Sequence, residues 1–210
     1  MKKVVDLTMS YHNGVNGFSK AIAKTKDADG WNASTLTFYS HVGTHMDAPF
    51  HFNVSNKTID EIPVSDFVGR AWVIDARKVG AKGLVTVHHI SETILENFVA
   101  GDSLIIWTGW SHHAGTQKYR DELPRISESL AHWCIAHKVK MIAVEPPSVA
   151  DVNDLEEVTK IHEILLAGVV IIEGLTNIEA LQTNCVELIA LPLKIENGDG
   201  APARVIAIER

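Results

Sequence analysis

The chain has 210 residues, of which 46% are hydrophobic and 21% are charged, and its formal net charge is −7. This length suits one domain with one core, and the composition is that of a globular protein, which excludes a disordered chain. The negative charge disfavours a nucleic-acid surface, which needs clustered Lys and Arg, and no apolar stretch approaches the roughly 18 residues of a membrane span. The first residues lack the apolar core of a signal peptide. We therefore expect one domain over residues 1–210 in the cytoplasm, without nucleic-acid or membrane partners.

The order of the predicted elements indicates a mixed architecture. Short apolar runs bounded by polar residues or Gly predict strands at 4–7, 36–39, 71–75, 103–107, 141–144, 169–172, 186–191 and 203–208. Residues 10–33 contain three glycines and little periodicity, and we expect a long loop there, of the kind that serves as a lid or a partner contact. Helical spacing predicts helices at 91–97, 127–137 and 155–166. Strands that alternate with helices beside a strand-rich start predict an α/β single domain with a mixed sheet.

One segment concentrates metal-ligating residue types. His41, His45, Asp47 and His51 lie within eleven residues, and imidazole and carboxylate suit a divalent ion such as Zn²⁺ or Mn²⁺. In a helix Asp47 would point away from the two histidines, and in a strand His41 and His45 would stand about 13 Å apart. Only a kinked turn brings three of these ligands to one ion, and Gly43 is the residue that permits one.

The segment also carries a resemblance. Its sequence from His41 to His51 resembles the H-x-G-T-H-x-D-x-P-x-H motif of the cyclase family, metal-dependent hydrolases that include bacterial kynurenine formamidases and isatin hydrolases. Weaker similarities follow in family order at 5–8, 58–63, 67–69, 73–75, 108–110 and 171–175. The resemblance implies a swivelling β/β/α fold, which agrees with the α/β reading, and a homodimer.

The resemblance also implies roles for single residues. It implies that His41, His45 and Asp47 bind one ion, that Asp47 bridges a second, and that His51 is the general acid/base. Further metal ligands are implied at His162 and Glu173. Independently of the family, Glu173 ends an apolar strand, where an unpaired carboxylate is costly, and a cation is a natural partner for it. His162 shares a helix face with Leu165 and Leu166. A core histidine and a carboxylate paired with an arginine are the alternatives.

Two stretches depart from the family pattern. The early loop at 14–18 lacks a Trp-Pro-Gly-Asp-like run, and residues 145–150 read Glu-Pro-Pro-Ser-Val-Ala where relatives have Asp-x-Pro-Ser-x-Asp. Both stretches could line the substrate pocket. Phe18 is therefore a candidate pocket residue, as is Trp110, whose ring could stack on an aromatic substrate.

These observations predict a metal-dependent hydrolase of a small-molecule amide, holding one or two divalent ions, with Zn²⁺ the first candidate and Mn²⁺ the second. The resemblance suggests an arylformamidase that converts N-formyl-L-kynurenine to kynurenine and formate in tryptophan catabolism. A hydrolase of a cyclic amide or lactone is the first alternative, and a non-catalytic metal-binding protein is the second. His51 favours either hydrolase over the non-catalytic protein, because a purely structural site needs no proton shuttle.

Overall fold

A computed structural model describes residues 2–209. In chain order its strands and helices are β1 (Lys3–Asp6), β2 (Phe18–Lys24), α1 (Lys26–Asp29), β3 (Ala33–Phe38), β4 (His45–Asp47), β5 (Val68–Asp75), β6 (Leu84–Val85), α2 (Glu92–Asn97), β7 (Ser103–Trp107), α3 (Gln117–Asp121), β8 (Arg125–Ile126), α4 (Glu128–Ala136), β9 (Met141–Val144), α5 (Leu155–Leu166), β10 (Val170–Glu173), β11 (Cys185–Pro192) and β12 (Gly200–Glu209). Within these residues no helix has the length and apolarity required to cross a membrane.

Eight strands form the main sheet, in the order β1-β12-β11-β5-β7-β9-β10-β4. Strands β5, β7, β9 and β10 run parallel to one another, whereas the remaining pairings are antiparallel. Strand β4 also pairs with β12, and this second pairing closes the sheet into a barrel-like ring. The predicted α/β class with a mixed sheet is therefore confirmed.

The strands separate two apolar cores. Leu104 and Ile106 of β7 face outward and pack with α2, α4 and α5, whereas Ile105 between them faces the inside of the ring. This alternation follows from the two-residue period of a strand. Buried apolar side chains on both faces explain why the parallel strands read as continuous apolar runs.

The helices begin where the sequence places good N-caps. The Ser127 side chain accepts a hydrogen bond from the Leu130 amide at the start of α4, and Asp154 caps α5 through the amides of Glu156 and Glu157. Helix α5 is amphipathic and packs against β10. The helices predicted at 127–137 and 155–166 are thus present with nearly the predicted bounds.

The expectation of a structureless loop at 10–33 is wrong. Strands β2 and β3 pair as an antiparallel hairpin across this region, with α1 at its tip. Most hairpin residues are exposed on both faces, so the sequence lacks the apolar alternation that signals a half-buried strand. The prediction failed because that signal depends on burial.

Candidate metal centre and active site

Sheet register brings the first ligating residues together. Strand β4 places His45 opposite Glu173 and Asp47 opposite Ile171 of β10. Because alternate residues share a face, His45 and Asp47 point outward toward α5, while Met46 between them enters the inner core. Strand β4 has only three residues, and its pairing on both edges holds it in place.

A turn before β4 folds His41 back onto the same site. Gly43 has φ of 59°, in the left-handed region that glycine adopts freely. The Tyr11 hydroxyl donates a hydrogen bond shared between the carbonyls of Val42 and Thr44, at 3.0 and 2.7 Å. Gly174 lies so close to this turn that a Cβ there would stand 2.2 Å from the Gly43 carbonyl oxygen. The kinked turn predicted at Gly43 is therefore present.

Among the described residues, the histidines and carboxylates form three groups of possible metal ligands, and two of these groups share Asp47. His41, His45 and Asp47 compose the first, and Asp47, His162 and Glu173 the second, with ligand atoms within 4.8 Å of one another in each. His45 Nε2 stands 3.5 Å from Asp47 Oδ1 and 3.2 Å from Glu173 Oε2. His162 Nε2 stands 3.7 Å from Asp47 Oδ2 and 3.5 Å from Glu173 Oε1. The turn from α5 into β10 thus brings the last two residues together.

Backbone carbonyls set the tautomers of two imidazoles. His45 Nδ1 lies 2.9 Å from the Gly43 carbonyl oxygen, and His162 Nδ1 lies 2.7 Å from the Val158 carbonyl oxygen. A carbonyl can only accept, so both Nδ1 atoms carry protons and donate them. In the neutral rings the Nε2 lone pairs then face the carboxylates, which is the arrangement of metal-bound histidines with an outer hydrogen-bond partner.

The donor set fits a divalent cation. Asp47 Oδ2 is buried and has no hydrogen-bond partner in the described structure, and leaving such an acceptor unsatisfied costs about 1–3 kcal/mol. Ligand atoms about 2.1 Å from a tetrahedral ion stand about 3.4 Å apart. The Nε2 atoms of His45 and His162 stand 3.2–3.7 Å from the nearest oxygens of Asp47 and Glu173, and His41 Nδ1 stands 2.9 Å from Asp47 Oδ1. Oxygen and imidazole ligands suit Zn²⁺ and Mn²⁺ alike.

The electrostatics of the metal-free chain also favour a bound cation. Burial opposes ionisation of Asp47 and Glu173, yet the neighbouring imidazoles outweigh it and hold the pKa of each carboxyl below its usual value. Burial also opposes charge on His45 and His162, but the carboxylates raise the pKa of both. Two buried carboxylates therefore stay ionised and require positive charge between them, from protons or from a cation.

His51 stands outside the two groups that share Asp47 and belongs to the third group, with His41 and Asp199. It lies in the 3₁₀ helix Pro49–Phe52 that follows β4, and its ring stacks on His41 with centroids 3.7 Å apart. Burial and the adjacent imidazoles of His41 and His162 lower its pKa, against the opposing charges of Asp47 and Glu173. The ring is therefore neutral at pH 7, and its side chain is 25% exposed.

A cavity of about 1140 Å³ opens onto these residues. His41, His45, His51, His162 and Glu173 line it. Both stretches that depart from the family pattern also line it, through residues 14–17 and through Pro147 and Ser148.

The two aromatic residues predicted for the pocket lie elsewhere. Phe18 is buried against Tyr11 and Phe38, with ring centroids 5.5 and 5.1 Å away. Trp110 is buried, and its indole nitrogen donates to the Tyr119 carbonyl at 2.8 Å. Large apolar rings near a pocket gain more by joining a core than by facing solvent, so both assignments are corrected.

Asp199 was not among the site residues predicted from the sequence. This residue lies between Gly198 and Gly200, immediately before β12, and its Oδ2 is 3.0 Å from His41 Nε2. Burial opposes charge on His41, but Asp47 and Asp199 outweigh it and raise the pKa of His41 to about 9. An aspartate between two glycines before a predicted strand was the available signal.

Comparisons with known proteins agree with this geometry. The sequence model of the family described as "Putative cyclase" matches residues 5–151. Kynurenine formamidase from Bacillus cytotoxicus is 31% identical over 194 residues, which cover 92% of this chain and 88% of the relative. Isatin hydrolase A from Ralstonia solanacearum has a TM-score of 0.87 at 24% identity, covering 100% of this chain and 92% of the other. An isatin hydrolase bound to the product analogue thioisatinate has a TM-score of 0.89 at 22% identity, covering 99% and 92%. The two structural matches establish the fold.

Proposed function

The chain belongs to the "Putative cyclase" family of metal-dependent hydrolases, and within it we propose that this protein hydrolyses N-formyl-L-kynurenine to kynurenine and formate. The observation that carries the proposal is the convergence of five side chains that could bind metal: His41, His45, His162 and Glu173 line a large cavity, and the buried Asp47 between them has an oxygen without a hydrogen-bond partner in the described structure. The kynurenine formamidase relative supports the choice of substrate.

In this proposal His41, His45 and Asp47 would hold one divalent ion, and Asp47, His162 and Glu173 a second. A divalent ion bound there would polarise the substrate carbonyl and lower the pKa of a bound water toward about 7. Zn²⁺ is our first choice and Mn²⁺ the second. Asp47 is the central residue, because both groups use its carboxylate.

His51 would move the proton. Its neutral ring can take a proton from the attacking water and deliver it to the departing nitrogen as the carbon–nitrogen bond breaks. An aryl amine leaves more readily than an alkyl amine, so aryl formamides should react faster. This role is the reason we favour an enzyme over a non-catalytic metal-binding protein.

A cyclic aryl amide is the alternative substrate, and the fold likeness to isatin hydrolases favours it. Ring opening would use the same water attack and the same proton transfer, but the amine would stay attached to the product. The homodimer and the cytoplasmic location expected from the sequence also belong to this proposal. Light scattering and cell fractionation would check them.

A substrate panel tests the proposal. The metal-free protein would be reloaded with Zn²⁺ or Mn²⁺ and assayed with N-formyl-L-kynurenine, an alkyl formamide, isatin and a lactone, with Asp47→Asn as the metal-deficient control. The metal-loaded wild type should turn over formylkynurenine faster than the other three substrates, and the control variant should not turn it over. Turnover of isatin or the lactone alone would assign the alternative, and no hydrolysis by metal-replete protein would refute catalysis on these substrates.

A further inference from the structure

Asp199 lies outside the two groups that share Asp47, and it forms a third group of possible metal ligands with His41 and His51. Its Oδ2 lies 3.0 Å from His41 Nε2 and accepts from the Ser40 hydroxyl at 3.2 Å. The other ring nitrogen, His41 Nδ1, lies 2.9 Å from Asp47 Oδ1. One imidazole therefore joins the carboxylate at the centre of the site to a second carboxylate at its rim.

Backbone register places Asp199 there. The Ala48 amide donates to the Asp199 carbonyl at 2.9 Å, and the next residue, Gly200, pairs with Asp47. Because these are main-chain contacts, they survive any change of the Asp199 side chain. Gly200 also leaves room for the imidazole, since a Cβ there would stand 2.7 Å from His41 Cε1.

The distances show that Asp199 is hydrogen-bonded to His41 and not to His51. Its Oδ2 is 3.8 Å from His51 Nδ1, too far for a hydrogen bond, whereas the 3.0 Å contact with His41 Nε2 is a normal one. His51 covers one face of the His41 ring by stacking. The rotation of that ring is therefore fixed by the contacts of its two nitrogens and by the stacking.

We propose that Asp199 is a positioning residue that accepts the Nε2 proton of His41 and so directs the Nδ1 lone pair of that ring toward the ion beside Asp47. The inference rests on the proposed function only in taking a divalent ion to be held there. A carboxylate behind a metal-bound imidazole fixes its tautomer and raises its basicity, and loss of such a partner typically costs about 10–100-fold in metal affinity.

The test is a Zn²⁺ titration of the metal-free full-length protein against a competing chelator. Asp199→Ala should lower the zinc affinity of one of the two sites by about 10–100-fold. Asp199→Asn keeps an acceptor oxygen and should lose less. The matched control is Asp75→Ala, which removes an exposed carboxylate paired with Arg77 outside the cavity. Circular dichroism would verify that each variant is folded.

Nitrogen-15 NMR of the zinc-loaded protein gives a readout that a purely structural role would not move. In the wild type the His41 proton should reside on Nε2 and exchange slowly with water, and in Asp199→Ala it should exchange fast. Unchanged zinc affinity in both Asp199 variants, or a proton on Nδ1 in the wild type, would overturn the inference while leaving the proposed function intact. Equal metal loss in Asp199→Ala and His51→Ala would make both residues ligands and would also overturn it. Absence of zinc binding by the wild type would instead refute the proposed function.

Discussion

Because Asp47 is shared between two groups of ligands, substitutions in these groups can test how many ions the chain binds. Its Oδ1 lies 2.9 Å from His41 Nδ1 and 3.5 Å from His45 Nε2, while its Oδ2 lies 3.7 Å from His162 Nε2. Glu173, by contrast, belongs to the second group alone. Asp47→Asn should therefore abolish the binding of both ions, whereas Glu173→Gln should lower the number of bound ions per chain from two to one.

The magnitude follows from linkage between binding and folding. At a free metal concentration about 1,000 times Kd, each ion adds about 4 kcal/mol to the free energy of unfolding. For a chain of 210 residues, each kcal/mol raises Tm by about 2–4 °C, which amounts to about 8–16 °C for each ion. The wild type should show two such increments, Glu173→Gln one, and Asp47→Asn none.

The assay pairs elemental analysis of metal per chain with thermal unfolding at several Zn²⁺ concentrations. Each variant is compared with its own metal-free form, because removing a partner from a buried charge cluster itself changes stability. A single ion in the wild type, with Glu173→Gln still fully loaded, would refute the two-ion reasoning. Retention of both increments by Asp47→Asn would refute the central role of that carboxylate.

Three further expectations concern the surroundings of the ion. Gly200→Ala should weaken zinc binding and lower the free energy of unfolding by about 1–3 kcal/mol, because its Cβ would stand 2.6 Å from the Met46 carbonyl oxygen and 2.7 Å from His41 Cε1. Chelator competition would measure zinc binding, and urea unfolding would measure stability. The control is Gly168→Ala, where the nearest such contact is 3.6 Å. His51→Ala should lower kcat by about 10²–10⁴-fold with metal content unchanged; unchanged turnover in steady-state kinetics would remove the proton-transfer role. In the metal-free chain, His41 contributes stability that is present in full below pH 6.5 and is lost as pH rises through its folded pKa of about 9. Urea unfolding across this range should show the decline for wild type and a smaller one for His41→Gln, and an equal decline in both would contradict the assignment.

Much of the fold could be read from local patterns. Apolar runs identified β7 and β9 with their observed bounds, and helical spacing identified α5. These elements are buried on at least one face, so the requirement of burial is written into their own residues. The hairpin of β2 and β3 lacks that requirement, and its strands formed without the pattern.

The sequence by itself determined the chemistry of the site. His41, His45, Asp47 and His51 stand within eleven residues around Gly43, and their residue types and spacing indicated a metal site. The resemblance of this segment to the cyclase motif implied the family and the enzyme class, which the relatives confirm. Their roles as ligands and acid/base remain predictions that the experiments above would test.

Only the tertiary structure decided how the site is completed. Glu173 comes to His45 through the register of β10 on β4, and Asp199 comes to His41 across 158 positions of sequence because β12 closes the ring beside β4. Tertiary packing also buries Phe18 against Tyr11 and Phe38, and Trp110 beside Tyr119, so neither ring lines the cavity. Contacts between distant strands depend on which edges pair and in which register, and a pattern confined to neighbouring residues carries no information about either.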